Sequence, residues 1–168
     1  FRLKKVSPVE AARASWQQAQ KYNPVFNAFV SFNDEASFIK SAQASEARWM
    51  NGTQTGPFDG LPVTIKDGAN VKGFVTSEGS LTMPSTPQTG DSPYVARLRE
   101  AGAVFLGKTT LPEFGHKGIT KSPLTGVTRN PWDTGKTSGG SSGGAAVAAA
   151  VRMGFLHHGS DGGGSIRI

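Results

Sequence analysis

The octapeptide Gly102-Ala103-Val104-Phe105-Leu106-Gly107-Lys108-Thr109 fits the expression of a phosphate-binding loop letter for letter, and the fold turns on refusing that match. A phosphate loop follows a strand and keeps small, flexible residues between its glycines, so that backbone N–H groups wrap the phosphate. Here Ser92-Pro93 opens a helix that runs through Leu98 to Ala101. Gly102 ends it, and Ala103-Val104-Phe105-Leu106 is a continuous apolar run that reads as a buried strand. The glycine spacing is a coincidence of letters. A helix feeding a buried strand is instead one unit of an alternating α/β layer.

The same alternation extends to both sides. Upstream, Leu61-Pro62-Val63-Thr64-Ile65-Lys66 is a short apolar strand with a lysine at its far end, followed by Asp67-Gly68. Before it, Ser7-Pro8-Val9-Glu10 combines an N-cap serine, a proline at the first helical position and a glutamate placed for a capping box. That helix is expected to reach about Tyr22 and to stop before Asn23-Pro24. Asn27 to Phe32 alternates and reads as a strand. Asp34 caps a second helix to about Met50, ended by Asn51-Gly52, and the two helices should form an outer layer. Downstream, a polar loop from Thr109 to Thr137 leads to a glycine-serine turn at 139–144. A helix over Ala145–Met153, a short strand from Phe155 to His158 and a second glycine turn at 159–164 follow.

Composition narrows the chemistry. The 168 residues include 22 Gly and 10 Pro with no tandem period, and no cysteine, which excludes thiol catalysis, cysteine metal sites and disulfides. The formal charge of +6 would suit a phosphate backbone, but the Lys and Arg are scattered without interleaved aromatics, so a solvated surface is the reading. No apolar run approaches the length of a bilayer span. Without a targeting pattern before Val6, a cytoplasmic protein is expected. There is no initiator Met, and the last residues stop where a glycine turn should lead into another element. The chain therefore reads as residues 1–168 of a single larger domain, cut after that turn.

Two further motif matches fail on context. Gly139-Gly140-Ser141-Ser142-Gly143 fits a hydrolase nucleophile elbow, which must sit at the end of an apolar strand. The preceding Thr128-Arg129-Asn130-Pro131-Trp132-Asp133 is polar and broken by proline, and His116, His157 and His158 do not fall in the required chain order. Ser37-Phe38-Ile39-Lys40 lies inside an amphipathic helix. His157 and His158 are adjacent on a strand, so they face opposite ways and read as packing residues rather than joint metal ligands.

What remains is a constellation: Lys66 at a strand end, Ser141 in one glycine turn and Ser165 at the end of Asp161-Gly162-Gly163-Gly164. Singly, each has an ordinary reading as a solvated lysine or a turn serine. Together they supply what a serine nucleophile needs. A serine hydroxyl reacts only when a base takes its proton, and a lysine can be that base only when burial keeps it neutral. The turn Gly162 to Ser165 can aim several N–H groups at one point, as an oxyanion hole does.

These blocks resemble the amidase-signature family. The resemblance rests on Pro62-Val63-Thr64-Ile65-Lys66-Asp67, the Gly139–Gly144 turn and Asp161-Gly162-Gly163-Gly164-Ser165-Ile166-Arg167. The separations agree as well, with 75 residues from Lys66 to Ser141 and 24 from Ser141 to Ser165. The segments Ser7 to Val30 and Pro123 to Asp133 extend the similarity over almost the whole chain. The resemblance implies an α/β fold with a central twisted mixed sheet flanked by helices, of which this is the amino-terminal part. It implies Ser165 as nucleophile, Lys66 as base, and Ser141 as the relay between them on a cis peptide after Gly140. Gly162, Gly163 and Gly164 would hold the oxyanion, with Ser142 in support. Asp161 and Arg167 would brace the turn, and Asp67 is a candidate for orienting the lysine loop. Ser138 and Ser160 depart from the family's commonest wording, where Pro and Thr stand, and neither is expected to touch the three reacting groups. No cofactor and no metal are called for. The expected substrate is a small-molecule amide, with a homodimer left open. Nucleic acid enters only under the alternative of a glutamine-dependent amidotransferase component. A third reading is an inactive fragment.

Overall fold

The computed structural model describes all of residues 1–168. A four-stranded sheet in the order β1-β3-β2-β6 forms its centre: β1 (Phe29–Phe32), β2 (Pro62–Lys66), β3 (Val104–Thr109) and β6 (Leu156–His158). β3 runs parallel to β2 and antiparallel to β1, and β6 runs parallel to β2. The sheet is therefore mixed, as expected. Helices α1 (Pro8–Phe26), α2 (Glu35–Asn51) and α4 (Gly143–Ala150) cover one face, and α3 (Pro93–Glu100) covers the other. A two-strand ribbon, β4 (Lys121–Ser122) with β5 (Gly126–Val127), interrupts the loop between β3 and α4. No helix is long and apolar enough to cross a membrane.

Alternation along the two central strands assigns the faces. Val104 and Leu106 join Ala12, Ala19, Phe38, Ala42, Val147 and Met153 in one buried cluster. Phe105, Val63 and Ile65 join Val71 and Val95 in the other. Successive strand side chains point to opposite faces, so Thr64 and Lys66 lie on the first face, beneath α4. That parity puts a lysine at the carboxyl end of a buried strand, the end at which α/β sheets hold their ligands.

The glycines of the rejected phosphate loop have packing explanations. Gly102 has φ +88, a left-handed conformation that glycine adopts without strain, and it turns α3 into β3. Gly107 lies so close to β1 that an added Cβ would collide with the Ser31 carbonyl oxygen.

Several boundaries differ from the sequence reading. α1 passes through Pro24 to Phe26. Its end is set by Asn27, which is left-handed (φ 54, ψ 54) and donates its N–H to the Asn23 carbonyl at 2.8 Å. The Asn23 side chain then accepts the N–H groups of Ala28 and Phe29, so the strand begins at Phe29 rather than Asn27. β3 continues past Leu106 to Thr109 because it is paired on both sides. Its Lys108 is buried because Asp67 meets it at 2.8 Å. α4 begins at Gly143, two residues early, and ends at Ala150.

Candidate active site

Lys66 ends β2 buried, 3% exposed. Its Nζ lies 2.6 Å from Ser141 Oγ, 3.0 Å from Ser142 Oγ and 2.8 Å from Ser160 Oγ. Ser141 Oγ is in turn 3.0 Å from Ser165 Oγ. The structure thus brings all three expected groups into one hydrogen-bonded line, lysine to serine to serine. Burial lowers the Lys66 pKa from 10.5 to about 8, against the opposing charge of Asp161. An amine that titrates there carries a neutral minority near physiological pH, far larger than that of a lysine at 10.5.

The turn that carries Ser141 is built by close backbone approach. Gly139 has φ +75, the Gly140–Ser141 peptide is cis, and an added Cβ on Gly140 would stand 2.8 Å from backbone atoms of Ile119. Thr120 Oγ1 donates to the Gly139 carbonyl at 2.8 Å and accepts the Gly143 N–H at 3.1 Å. The two glycine turns are stitched together where the Ser142 N–H donates to the Ser165 carbonyl at 3.2 Å.

The second turn is braced by Asp161. Its carboxylate accepts the N–H of Gly164 at 2.8 Å and of Ile166 at 3.3 Å, and pairs with Arg167 through Nε and Nη2. The Arg167 pairing, with help from these N–H groups, holds the Asp161 pKa well below the usual carboxylate range. The Gly164 N–H, expected to hold the oxyanion, donates to Asp161 instead. The N–H groups of Gly162, Gly163 and Ser165 have no protein acceptor.

One other expectation changes. Ser160 does not stand clear of the reacting groups: its hydroxyl is one of three on Lys66 Nζ. Asp67 does not touch Lys66. It pairs with buried Lys108 and accepts the Ser77 N–H at 3.1 Å and the Ser77 hydroxyl, so it anchors the loop after β2. His157 bonds Thr64 Oγ1 through Nδ1 at 2.9 Å, and burial lowers its pKa to about 4. His158 stacks on Tyr94 with ring centroids 4.6 Å apart. Both histidines have packing partners.

A cavity of about 310 Å³ opens over Ser165, lined also by Lys66, Ser141, Ser160, Gly162, Gly163, Glu78, Leu111 and Phe114. A larger hollow of about 370 Å³ lies elsewhere, between the first residues and α2, and holds none of these groups. Chemistry favours the smaller one.

A family profile described as Amidase matches residues 10–168. The chain belongs to the amidase-signature family. Its relatives include an acylamidase of Rhodococcus erythropolis, 45% identical over 97% of this chain and 34% of that protein. The A-type component of a glutamyl-tRNA(Gln) amidotransferase from an Azoarcus species is 41% identical over 98% of this chain and 33% of its own length. A crystal structure of an amidase superposes with a TM-score of 0.89 at 38% identity, covering 99% of this chain and 38% of that one. This amidase-family chain spans about a third of the length of the curated relatives it matches.

Proposed function

We propose that the enzyme containing this chain hydrolyses a carbon–nitrogen amide bond, with Ser165 as nucleophile, Ser141 as proton relay and Lys66 as base. The observation that carries the reading is the unbroken line Ser165 Oγ, Ser141 Oγ, Lys66 Nζ, with separations of 3.0 and 2.6 Å. Direction along that line follows from counting hydrogens. Ser142 has one hydroxyl hydrogen, and the Ser160 carbonyl takes it at 2.9 Å, so Ser142 can only accept from Lys66. A neutral amine that gives its two N–H bonds to Ser142 and Ser160 points its lone pair at Ser141.

The steps balance. Ser165 Oγ adds to the carbonyl carbon as its proton passes to Ser141, whose own proton passes to Lys66 Nζ. The Gly162, Gly163 and Ser165 N–H groups stabilise the oxyanion, each such donor lowering the barrier by about 3–4 kcal/mol. When the C–N bond breaks, the proton returns from Lys66 through Ser141 to the departing nitrogen. Water then adds to the acyl-enzyme by the same relay and releases the acid. The similarity to an acylamidase supports this reading.

The similarity to an amidotransferase component supports a second use of the same machinery, release of ammonia from glutamine for a partner protein. The test of the shared chemistry is Ser165→Ala in the full-length protein. Amide hydrolysis should fall by roughly 10³-fold or more, and unimpaired turnover would overturn the proposal.

A further inference from the structure

Two residues the relay does not use stand at the same cavity in a conformation that side-chain-bearing residues avoid. Glu78 has φ 49 and Phe114 has φ 53, two of the five left-handed non-glycine residues in the chain. They are bonded to each other, the Phe114 N–H donating to the Glu78 carbonyl at 2.8 Å, and both line the cavity over Ser165. Such backbone strain persists only where the surroundings hold it, and it concentrates at ligand sites. The surroundings here are specific. On one side of Glu78, Ser77 is fixed to the buried Asp67 carboxylate. On the other, Gly79 has φ +68 and lies against the Leu111 backbone, where an added Cβ would come within 2.8 Å of the carbonyl oxygen. Glu78 is thereby held at the cavity by neighbours that have no part in the relay.

Glu78 is half-buried; its carboxylate makes no hydrogen bond or salt bridge with the protein, and the positive charge it acts on, Lys108, is itself bridged to Asp67. Lys66 and Glu78 are the two titratable residues of the cavity wall, the rest being Ser, Gly, Leu111 and Phe114. Lys66 must be neutral to act as base, so in the reactive state Glu78 is the one charged group of the lining.

We infer that Glu78 is a specificity-determining residue, selecting neutral and cationic amides and disfavouring those with a carboxylate near the scissile carbonyl. The inference rests on the proposed role of Ser165 and narrows its substrate class. An unpaired carboxylate in a partly desolvated wall attracts an ammonium or N–H donor and repels an anion, and added salt weakens both effects.

Matched fluorophosphonates that differ only in a terminal ammonium, methyl or carboxylate group test this on the full-length protein. Each reacts by forming a Ser165 Oγ–P bond with loss of fluoride, whatever the natural amide is. Labelling of Ser165 should be faster for the ammonium than for the carboxylate probe by roughly tenfold or more at low salt, and the ratio should shrink at high salt. In Glu78→Gln the ratio should fall by about the same factor, with the methyl probe within roughly threefold of wild type. A wild-type ratio near one, or a ratio unchanged in Glu78→Gln, would overturn the inference while leaving Ser165 as nucleophile. If Glu78→Gln does not fold, the wild-type ratio and its salt dependence decide. Labelling that persists in Ser165→Ala, or that never reaches Ser165, would remove the parent reading instead.

Discussion

Ser142 and Ser160 are bonded twice through a single hydroxyl: Ser142 Oγ accepts the Ser160 N–H at 3.1 Å and donates to the Ser160 carbonyl at 2.9 Å. The bond pair locks the hydrogen of Ser142 away from Lys66 and ties the strand end after β6 to the start of α4. It converts Ser142 into a fixed acceptor, and with Ser160 it sets which way the lysine lone pair points. Ser142→Ala removes that acceptor, which matters most to the charged ammonium. The Lys66 pKa should drop below about 8, while kcat falls by roughly 10- to 100-fold as the amine loses its orientation. A pH profile of the variant reads both effects at once.

The wild-type pH dependence has a defined sign. Below about 8 Lys66 carries a proton and has no lone pair, so kcat/KM should rise with pH through that value and then level off. Stability follows the same group. The unfolded lysine titrates near 10.5, so between about 8 and 10.5 the unfolded chain binds more protons, and the Lys66 contribution to stability increases with pH across that window. Below about 8 the cost of burying its charge is fully present. Steady-state rates with a neutral amide and denaturant unfolding at several pH values measure the two.

Asp161→Asn separates bracing from electrostatics. The Asp161 charge raises the Lys66 pKa, so its removal should shift the rising limb to lower pH. The turn also loses the Arg167 pair and part of its hold on the Gly164 and Ile166 N–H groups, so kcat should fall about tenfold or more. An unshifted limb would show that the charge does not reach the lysine.

Lys108 and Asp67 form a buried charged pair, and its role is structural. Asp67→Ala leaves an ammonium uncompensated in the core beside Val75 O and Thr76 Oγ1 and should destabilise the fold by about 3–5 kcal/mol, read by chemical denaturation. It also frees the Ser77–Gly79 loop that carries Glu78 to the cavity.

Much of this is legible in the chain itself. Periodicity, the Ser7 capping box and the glycine stops locate the helices and strands. The chemistry of Lys66, Ser141 and Ser165 draws the three together across long stretches of sequence. What escapes is decided by distant partners. Pro24 signals a helix end, but Asn27 and the Asn23 side chain supply the actual stop. The burial of Lys108 depends on a carboxylate 41 positions away in sequence. Ser160 is expected to stand clear of the reacting groups because nothing local says its hydroxyl meets Lys66. Glu78 sits in a stretch, Thr76-Ser77-Glu78-Gly79-Ser80, whose composition reads as a loop. Only the meeting of that loop with Phe114 places it at the cavity.

The relay is tested most directly by comparing the rate at which a neutral fluorophosphonate labels wild type and Lys66→Met in the full-length protein, with the modified peptide mapped by mass spectrometry. The adduct should sit on Ser165 in wild type and form at least ~100-fold more slowly in a folded Lys66→Met variant. Equal rates in the two proteins, or an adduct on a different serine, would contradict the account.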